Sequence, residues 1–407
     1  MHSLTGLELA CGRVSGVSAG APDRSTAPVR ASGPPVSAFA ALEAAVLPAV
    51  LASPCVVSFS GGKDSALVLA VAARVARREG LPLPIPVSWR FPDVPRADES
   101  TWQDRILTEL RIEDRIVLAA GDDLDLVGPV ARSVLRRHGV LYPANLHLHE
   151  PILGHARRGA LLTGLGGDQV LTCWSAAGRV SLRRTARVVA ARGPWWVRVS
   201  AAAMSRSGSF GGAGGRDFPW LRRDAARRAF LDWLGEWMGR PDRPDRRLWW
   251  ESRRRRLTVA ADNLASLGAE HAVTVLNPLL DRAFHASLVG TVPAGIRMDR
   301  SALIRLFCGD RIPPIVYRHR PKGWFRDVFV RTPTLTLARE WDGRGADESL
   351  VDPAVLAELW RHEPFPAGTG SLLQQAWVHR TGGGGTDGRT SARRPDAGSD
   401  STDVPFR

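Results

Sequence analysis

The stretch Val56–Leu67, reading VVSFSGGKDSAL, constrains the fold of this chain more than any other. Strand-forming residues run into Ser60-Gly61-Gly62-Lys63-Asp64-Ser65, and Ala66-Leu67-Val68-Leu69-Ala70 then opens a helix-forming run. A strand, a glycine turn and a helix start follow from that order. Paired glycines allow positive φ and a close approach of backbone to ligand, while the first amides of the helix point into the turn. Such a terminus favours an anion by roughly 0.3–2 kcal/mol, and the hydroxyls of Ser60 and Ser65 are further donors for phosphate oxygens. Asp64 is a carboxylate in an anion nest, which points to a bridging cation, Mg²⁺, between it and a polyphosphate.

The loop is not a mononucleotide P-loop, because the glycine required five residues before the Gly-Lys pair is replaced by Val57. Ser-Gly-Gly-x-Asp-Ser after an apolar strand instead resembles the pyrophosphate-binding loop of the N-type ATP pyrophosphatases, which cleave ATP between its α and β phosphates. Of the 55 lysines and arginines, only Lys63 and Lys322 are lysines. A compact ammonium reaching a phosphate as a point charge is not replaced by a planar guanidinium, which singles out both positions. The net charge of +14 raises the question of nucleic acid, membrane or acidic substrate without choosing among them. Cys11, Cys55, Cys173 and Cys308 are widely spaced, which excludes a Cys-x-x-Cys metal site and a disulfide framework. No secretory signal or membrane span is visible, and a cytoplasmic enzyme is expected.

Taken in order, residues 1–36 read as a disordered leader rich in Gly, Ser, Ala and Pro. A helix is expected over 36–51 and a strand over 55–59. A second strand follows at 85–89, with Val87 and Ser88 near the adenine, since ligands of open parallel sheets sit beyond the carboxyl ends of the strands. Asp98 and Glu99 head an amphipathic helix ending near Leu110 and serve its N-terminus. A third strand is expected at 114–118 and a further helix over 126–138. His147 and His149 fall in a polar loop without a third metal ligand. Ala160-Leu161-Leu162-Thr163 then enters Gly164-Leu165-Gly166-Gly167-Asp168-Gln169, a second strand, glycine turn and aspartate. Asp64 and Asp168, from neighbouring strand ends, make a pair of Mg²⁺ ligands.

From about 180 to 256, arginine clusters alternate with tryptophans, which fit amphipathic helices with tryptophans inward and arginines solvated. The glycine-rich 205–215 reads as a loop. Beyond Leu257 the pattern is helical, with Asn277-Pro278 opening one helix and Arg318-His319-Arg320-Pro321-Lys322-Gly323 forming a loop. The fold class is α/β: a parallel-sheet nucleotide-binding core at 37–180, a mostly helical half at 181–380 and a disordered tail at 381–407.

Four segments, SGGKDS (60–65), Asp98-Glu99, TGLGGDQ (163–169) and the series from NPLLDR (277–282) to RPKGWF (320–325), together resemble the synthetase domain of the glutamine-dependent asparagine synthetase family, over about 37–380. β-Lactam synthetase and lasso-peptide macrolactam synthetases are similar. The resemblance implies that Ser60, Gly61, Gly62, Asp64 and Ser65 hold pyrophosphate, with Lys63 beside them, that Gly164 contacts AMP and that Asp64 and Asp168 bind Mg²⁺. Lys322 corresponds to the catalytic lysine. It further implies ATP as substrate, a small-molecule or peptide carboxylate that becomes an acyl-adenylate, and an amine or ammonia as acceptor. The glutaminase domain of the family is not seen, so ammonia would be free or come from a separate glutaminase; nucleic acid is not an expected partner. Leu165 stands where the family has Glu or Tyr, leaving Asp262 or Glu270 as replacements. Lys63 also departs from the family's usual apolar residue.

Overall fold

The computed structural model describes residues 1–18, 36–175, 218–241, 243–293, 296–318, 323–362, 364–366 and 368–382. Five parallel strands form the central sheet, β1 (Cys55–Ser58), β2 (Ile85–Arg90), β3 (Ile116–Ala119), β4 (Ala160–Leu162) and β5 (Thr274–Leu276), in the order β3-β2-β1-β4-β5. Val56 pairs with Ile85 on one side and Leu161 on the other. The central β1 and β4 are apolar without alternation, as strands covered on both faces must be. Strand order reverses between β1 and β4, so the connections leaving their carboxyl ends diverge and open a crevice there. Both glycine turns lie at that point.

Helix α1 covers Gly6–Cys11, α2 Ala38–Leu51 and α3 Lys63–Glu79. Gly62 is the N-cap of α3, and Gly80, at φ +65°, ends it with Arg77 and Arg78 in the last turn, where cations suit the helix dipole. Leu67, Val68, Leu69 and Val71 of α3 are wholly buried, each worth roughly 1.5–3 kcal/mol. α4 spans Ser100–Leu110, α5 Pro129–His138, α6 Glu150–His155 and the short α7 Gly167–Val170.

Four sequence expectations change. The leader is not disordered throughout: Thr5 caps α1 in a capping box with Glu8, and Ala10 and Cys11 pack with Trp220, Leu221 and Leu373. Residues 19–35 lie outside the described residues, as do the glycine loop at 205–215 and all but 381–382 of the tail. The core does not stop at 180, since β5 completes the sheet and Phe284, Leu288, Leu303 and Phe307 share one cluster with α2 and α3. Asn277-Pro278 opens a short 3₁₀ turn, and the following helix starts at Arg282 under an Asp281 cap. Trp220 and Trp233 do face inward, but Arg247 and Arg254 are buried as well; Arg254 pairs with Glu236 and stacks 4.5 Å over Trp250.

Candidate active site

The first turn is built on Phe59. Its N–H donates to the Val87 carbonyl at 2.9 Å and its carbonyl accepts from the Ser88 hydroxyl at 2.8 Å. Val87 and Ser88, both buried, thus fix the residue preceding Ser60. Gly61 then takes φ +76°, and a side chain there would meet Gln103 Cγ at 2.8 Å. The Ser60 hydroxyl accepts from Gly62 N–H at 3.2 Å and lies 3.2 Å from the Ser65 hydroxyl. Ser65 donates to the Gly62 carbonyl at 3.2 Å, closing the turn against the first turn of α3.

The second turn is held from the other side by β5. Thr163 N–H donates to the Leu276 carbonyl at 3.1 Å, and the Thr163 hydroxyl donates to the Asn277 side chain and accepts from Leu165 N–H. Its glycines have distinct causes. A Cβ at Gly164 would lie 2.8 Å from Ser65 N; one at Gly166 would overlap Leu280; one at Gly167 would overlap the Asp64 carboxyl. Two turns a hundred residues apart in sequence are in van der Waals contact because the second lacks side chains.

Asp64 and Asp168 converge on one group. The Arg300 guanidinium pairs with Asp64 through Nη2 and with Asp168 through Nη1, the latter at 2.7 Å. Burial lowers the Arg300 pKa to about 10, which leaves it a cation at neutral pH. The neighbouring Ser301 hydroxyl accepts from Lys63 Nζ at 2.7 Å. Both residues sit at the start of the Arg300–Cys308 helix, capped by Asp299. The sequence signal for this helix was visible, but nothing in a lone arginine tells which carboxylates it will meet. Two converging carboxylates beside serine hydroxyls supply the hard oxygen donors that Mg²⁺ takes together with substrate phosphates, so the donor set fits the expected metal.

Lys322 lies outside the described residues. The chain on its far side is docked at the same rim: Gly323 N–H donates to Glu99 Oε1 at 3.2 Å and Trp324 N–H to the Arg96 carbonyl at 2.9 Å. The acidic pair heading α4 therefore divides its work. Asp98 accepts from Ser100 N–H and hydroxyl, both at 2.9 Å, while the buried Glu99 receives the returning segment. Further along, Arg331 pairs with Asp122 at 2.6 Å and Asp93 at 3.1 Å. The fully buried Asp125 accepts from Thr334 Oγ1 at 2.7 Å and Arg331 N–H at 2.7 Å.

An asparagine synthase profile matches residues 40–381, most of the chain. The chain belongs to the asparagine synthase family. No individually curated protein matches it. Membership in the asparagine synthase family carries ATP-dependent synthetase chemistry of the ligase type.

Within this asparagine synthase fold several candidates are corrected. Glu270, at the end of the helix leading into β5, lies toward the amino ends of the strands, where Arg137 and His138 pair with it. Asp262 is an exposed partner of His2 at 2.8 Å. Neither replaces the group absent at Leu165. His147 is buried, its ring nitrogens facing the Ala144 and Leu124 carbonyls, and the segment is a 3₁₀ turn, not a polar loop. No metal-binding cluster of three or more His, Cys, Asp or Glu occurs among the described residues. All four cysteines are buried thiols, and no helix among the described residues is long and apolar enough to cross a membrane.

Proposed function

We propose that this protein is an AMP-forming amide ligase. It would adenylate a small-molecule or peptide carboxylate with release of pyrophosphate, then transfer the acyl group to an amine or ammonia with release of AMP. The observation that carries the reading is the contact between the two glycine turns at the β1/β4 switch point, with Asp64 and Asp168 aimed at one cation. Ser60, Ser65 and the first amides of α3 form the anion nest for the polyphosphate. Asp64 and Asp168 would hold Mg²⁺, which neutralises charge on the departing pyrophosphate.

Lys63 stands at the first position of α3, hydrogen-bonded to Ser301, and adds a cation to the rim of the nest. Lys322 is assigned to the acyl centre, where an ammonium stabilises negative charge growing on the carbonyl oxygen; one such donor is typically worth about 3–4 kcal/mol. Glu99 and Asp125 orient the segment following it. Leu165 gives no proton acceptor at the acyl site, so the amine must arrive neutral or lose its proton to another group.

Binding of RNA is less well supported. Basic and aromatic residues interleaved on a surface could stack on bases, but among those at about 180–256 Arg247, Arg254, Trp220 and Trp233 are buried. The deciding experiment is ATP–pyrophosphate exchange against panels of carboxylates, repeated with Asp64→Ala and with amines added. Exchange that depends on one class of carboxylate and vanishes in the variant is expected. Exchange with no carboxylate, or exchange dependent on RNA instead, would remove the proposal.

A further inference from the structure

We infer that Trp324 determines which acid the site accepts: its indole is the platform for the group that the substrate carboxylate carries, and it selects carboxylates bearing an aromatic ring or an extended apolar group. The inference deepens the ligase function proposed above and rests on it for the identity of the reacting acid.

Among the tryptophans whose side chains are described, Trp324 alone is exposed. Trp174, Trp220, Trp233, Trp360 and Trp377 are buried, so the fold finds places inside for indoles when they serve packing. Trp324 is 59% exposed, and among the described residues no hydrogen bond or ring contact engages its indole. The backbone beneath it is fastened at three consecutive residues. Gly323 N–H donates to the buried Glu99 at 3.2 Å, and Trp324 N–H donates to the Arg96 carbonyl at 2.9 Å. The Phe325 ring packs edge-on against Phe91, with centroids 5.9 Å apart, in the cluster that holds Val94 and Ala97. A single exposed apolar side chain needs no explanation by itself. An indole on a fixed backbone, with only two side-chain torsions left to order, is different, because it loses little freedom when a ligand settles on it.

The anchors also say which ligand passes. Glu99 is the N-cap of α4, and Gln103, whose N–H donates to the Glu99 carbonyl at 2.9 Å, donates from its side chain to the Ser60 carbonyl at 3.2 Å. The residue that receives Gly323 is therefore only about 6 Å along the helix from the residue that grips the first turn. With the polyphosphate in that turn, the carboxylate that attacks the α-phosphorus enters from outside, and the group attached to it trails back across this rim. A flat apolar face suits a ring or a row of methylenes there, and it offers a small polar acid only the indole N–H.

The test uses the full-length protein with magnesium and the non-hydrolysable α,β-methylene analogue of ATP. Calorimetry compares a matched pair of probes, phenylpropionate and propionate. The parent is expected to bind phenylpropionate about tenfold more tightly than propionate. Trp324→Ala should reduce that preference to about twofold, and Trp324→Phe should keep a good part of it. Affinity for the ATP analogue should stay within about twofold of the parent in both variants, because the anion nest is built elsewhere. The side chain is exposed, so the thermal midpoint should not move. A parent with no preference between the probes, an undiminished preference in Trp324→Ala, or a loss of ATP-analogue affinity in its place would each overturn the inference. ATP–pyrophosphate exchange is read separately. A Trp324-dependent preference without exchange would keep the platform and remove the ligase, and exchange without the preference would do the reverse.

Discussion

Gly167 and Asp64 are in contact so close that a Cβ on the glycine would overlap the carboxyl group. Gly167 is also the first residue of α7, so the second turn offers backbone, and nothing else, to the carboxylate of the first. The same logic places Gly164 against the amide of Ser65. Glycine here is required for proximity across the switch point and not for a left-handed conformation, since neither residue has positive φ.

Gly167→Ala should therefore separate stability from chemistry. Alanine is the better helix former by roughly 1 kcal/mol, so the thermal midpoint should move little or fall modestly. Asp64 must shift to make room, and a displacement on the order of 1 Å at a reacting centre costs about a hundredfold in rate. Carboxylate-dependent ATP–pyrophosphate exchange near the parent rate in this variant would show that the Asp64 position is not needed.

The turns themselves were legible from sequence because glycines, hydroxyls and an aspartate at a strand-to-helix junction have few other uses. β1 and β4 were legible for a related reason: short apolar runs that follow Pro54 and Gly159 read as strands covered on both faces. β5 was not. Thr274-Val275-Leu276 is too short to show a period, and only its pairing with Ala160-Leu161-Leu162 makes it a strand. Arg300 escaped for the opposite reason, being one arginine among many whose role depends on which carboxylates the fold delivers. α1 was hidden by composition, since a Gly- and Ser-rich stretch surrounds its capping box of Thr5 and Glu8.

Glu99 is the positioning residue of the returning segment, and its variants should act on turnover more than on nucleotide binding. Glu99→Ala removes the acceptor of Gly323 N–H, and if the segment that follows carries the proposed role of Lys322, loosening it should lower amide formation about 10–100-fold. The KM for ATP should stay within about threefold, because the anion nest is built elsewhere. Glu99→Gln keeps an acceptor oxygen for the amide and should recover part of the loss. Equal damage to the KM and kcat in both variants would argue for a general structural role.

At Lys322 the expectation concerns shape of charge. A compact ammonium delivers a point charge, and a guanidinium of larger plane and different reach does not reproduce it. Lys322→Arg should lose nearly as much amide formation as Lys322→Ala, on the order of a hundredfold to a thousandfold. An arginine variant working at close to the parent rate would end the assignment of Lys322 to the acyl centre.

The histidines of the 146–149 turn predict a response to acid. Burial pushes the His149 imidazole down to about 4, against the carbonyl of Leu146, which favours its charged form. His147 and His285 are lowered for the same reason. Between the ordinary value near ~6.5 and the folded one, the unfolded chain binds a proton that the folded chain refuses. The stability due to neutral His149 is therefore whole above that ordinary value, falls as pH drops toward 4 and is gone below it. At about 1.4 kcal/mol per pKa unit, one such group accounts for at most about 3 kcal/mol, and His149, being only partly buried, for less. Urea unfolding at pH 7 and pH 4.5 should show the parent losing more stability than His149→Gln, by about 1–2 kcal/mol. Parallel losses in the two proteins would mean that His149 takes its proton in the folded state as readily as in the unfolded one.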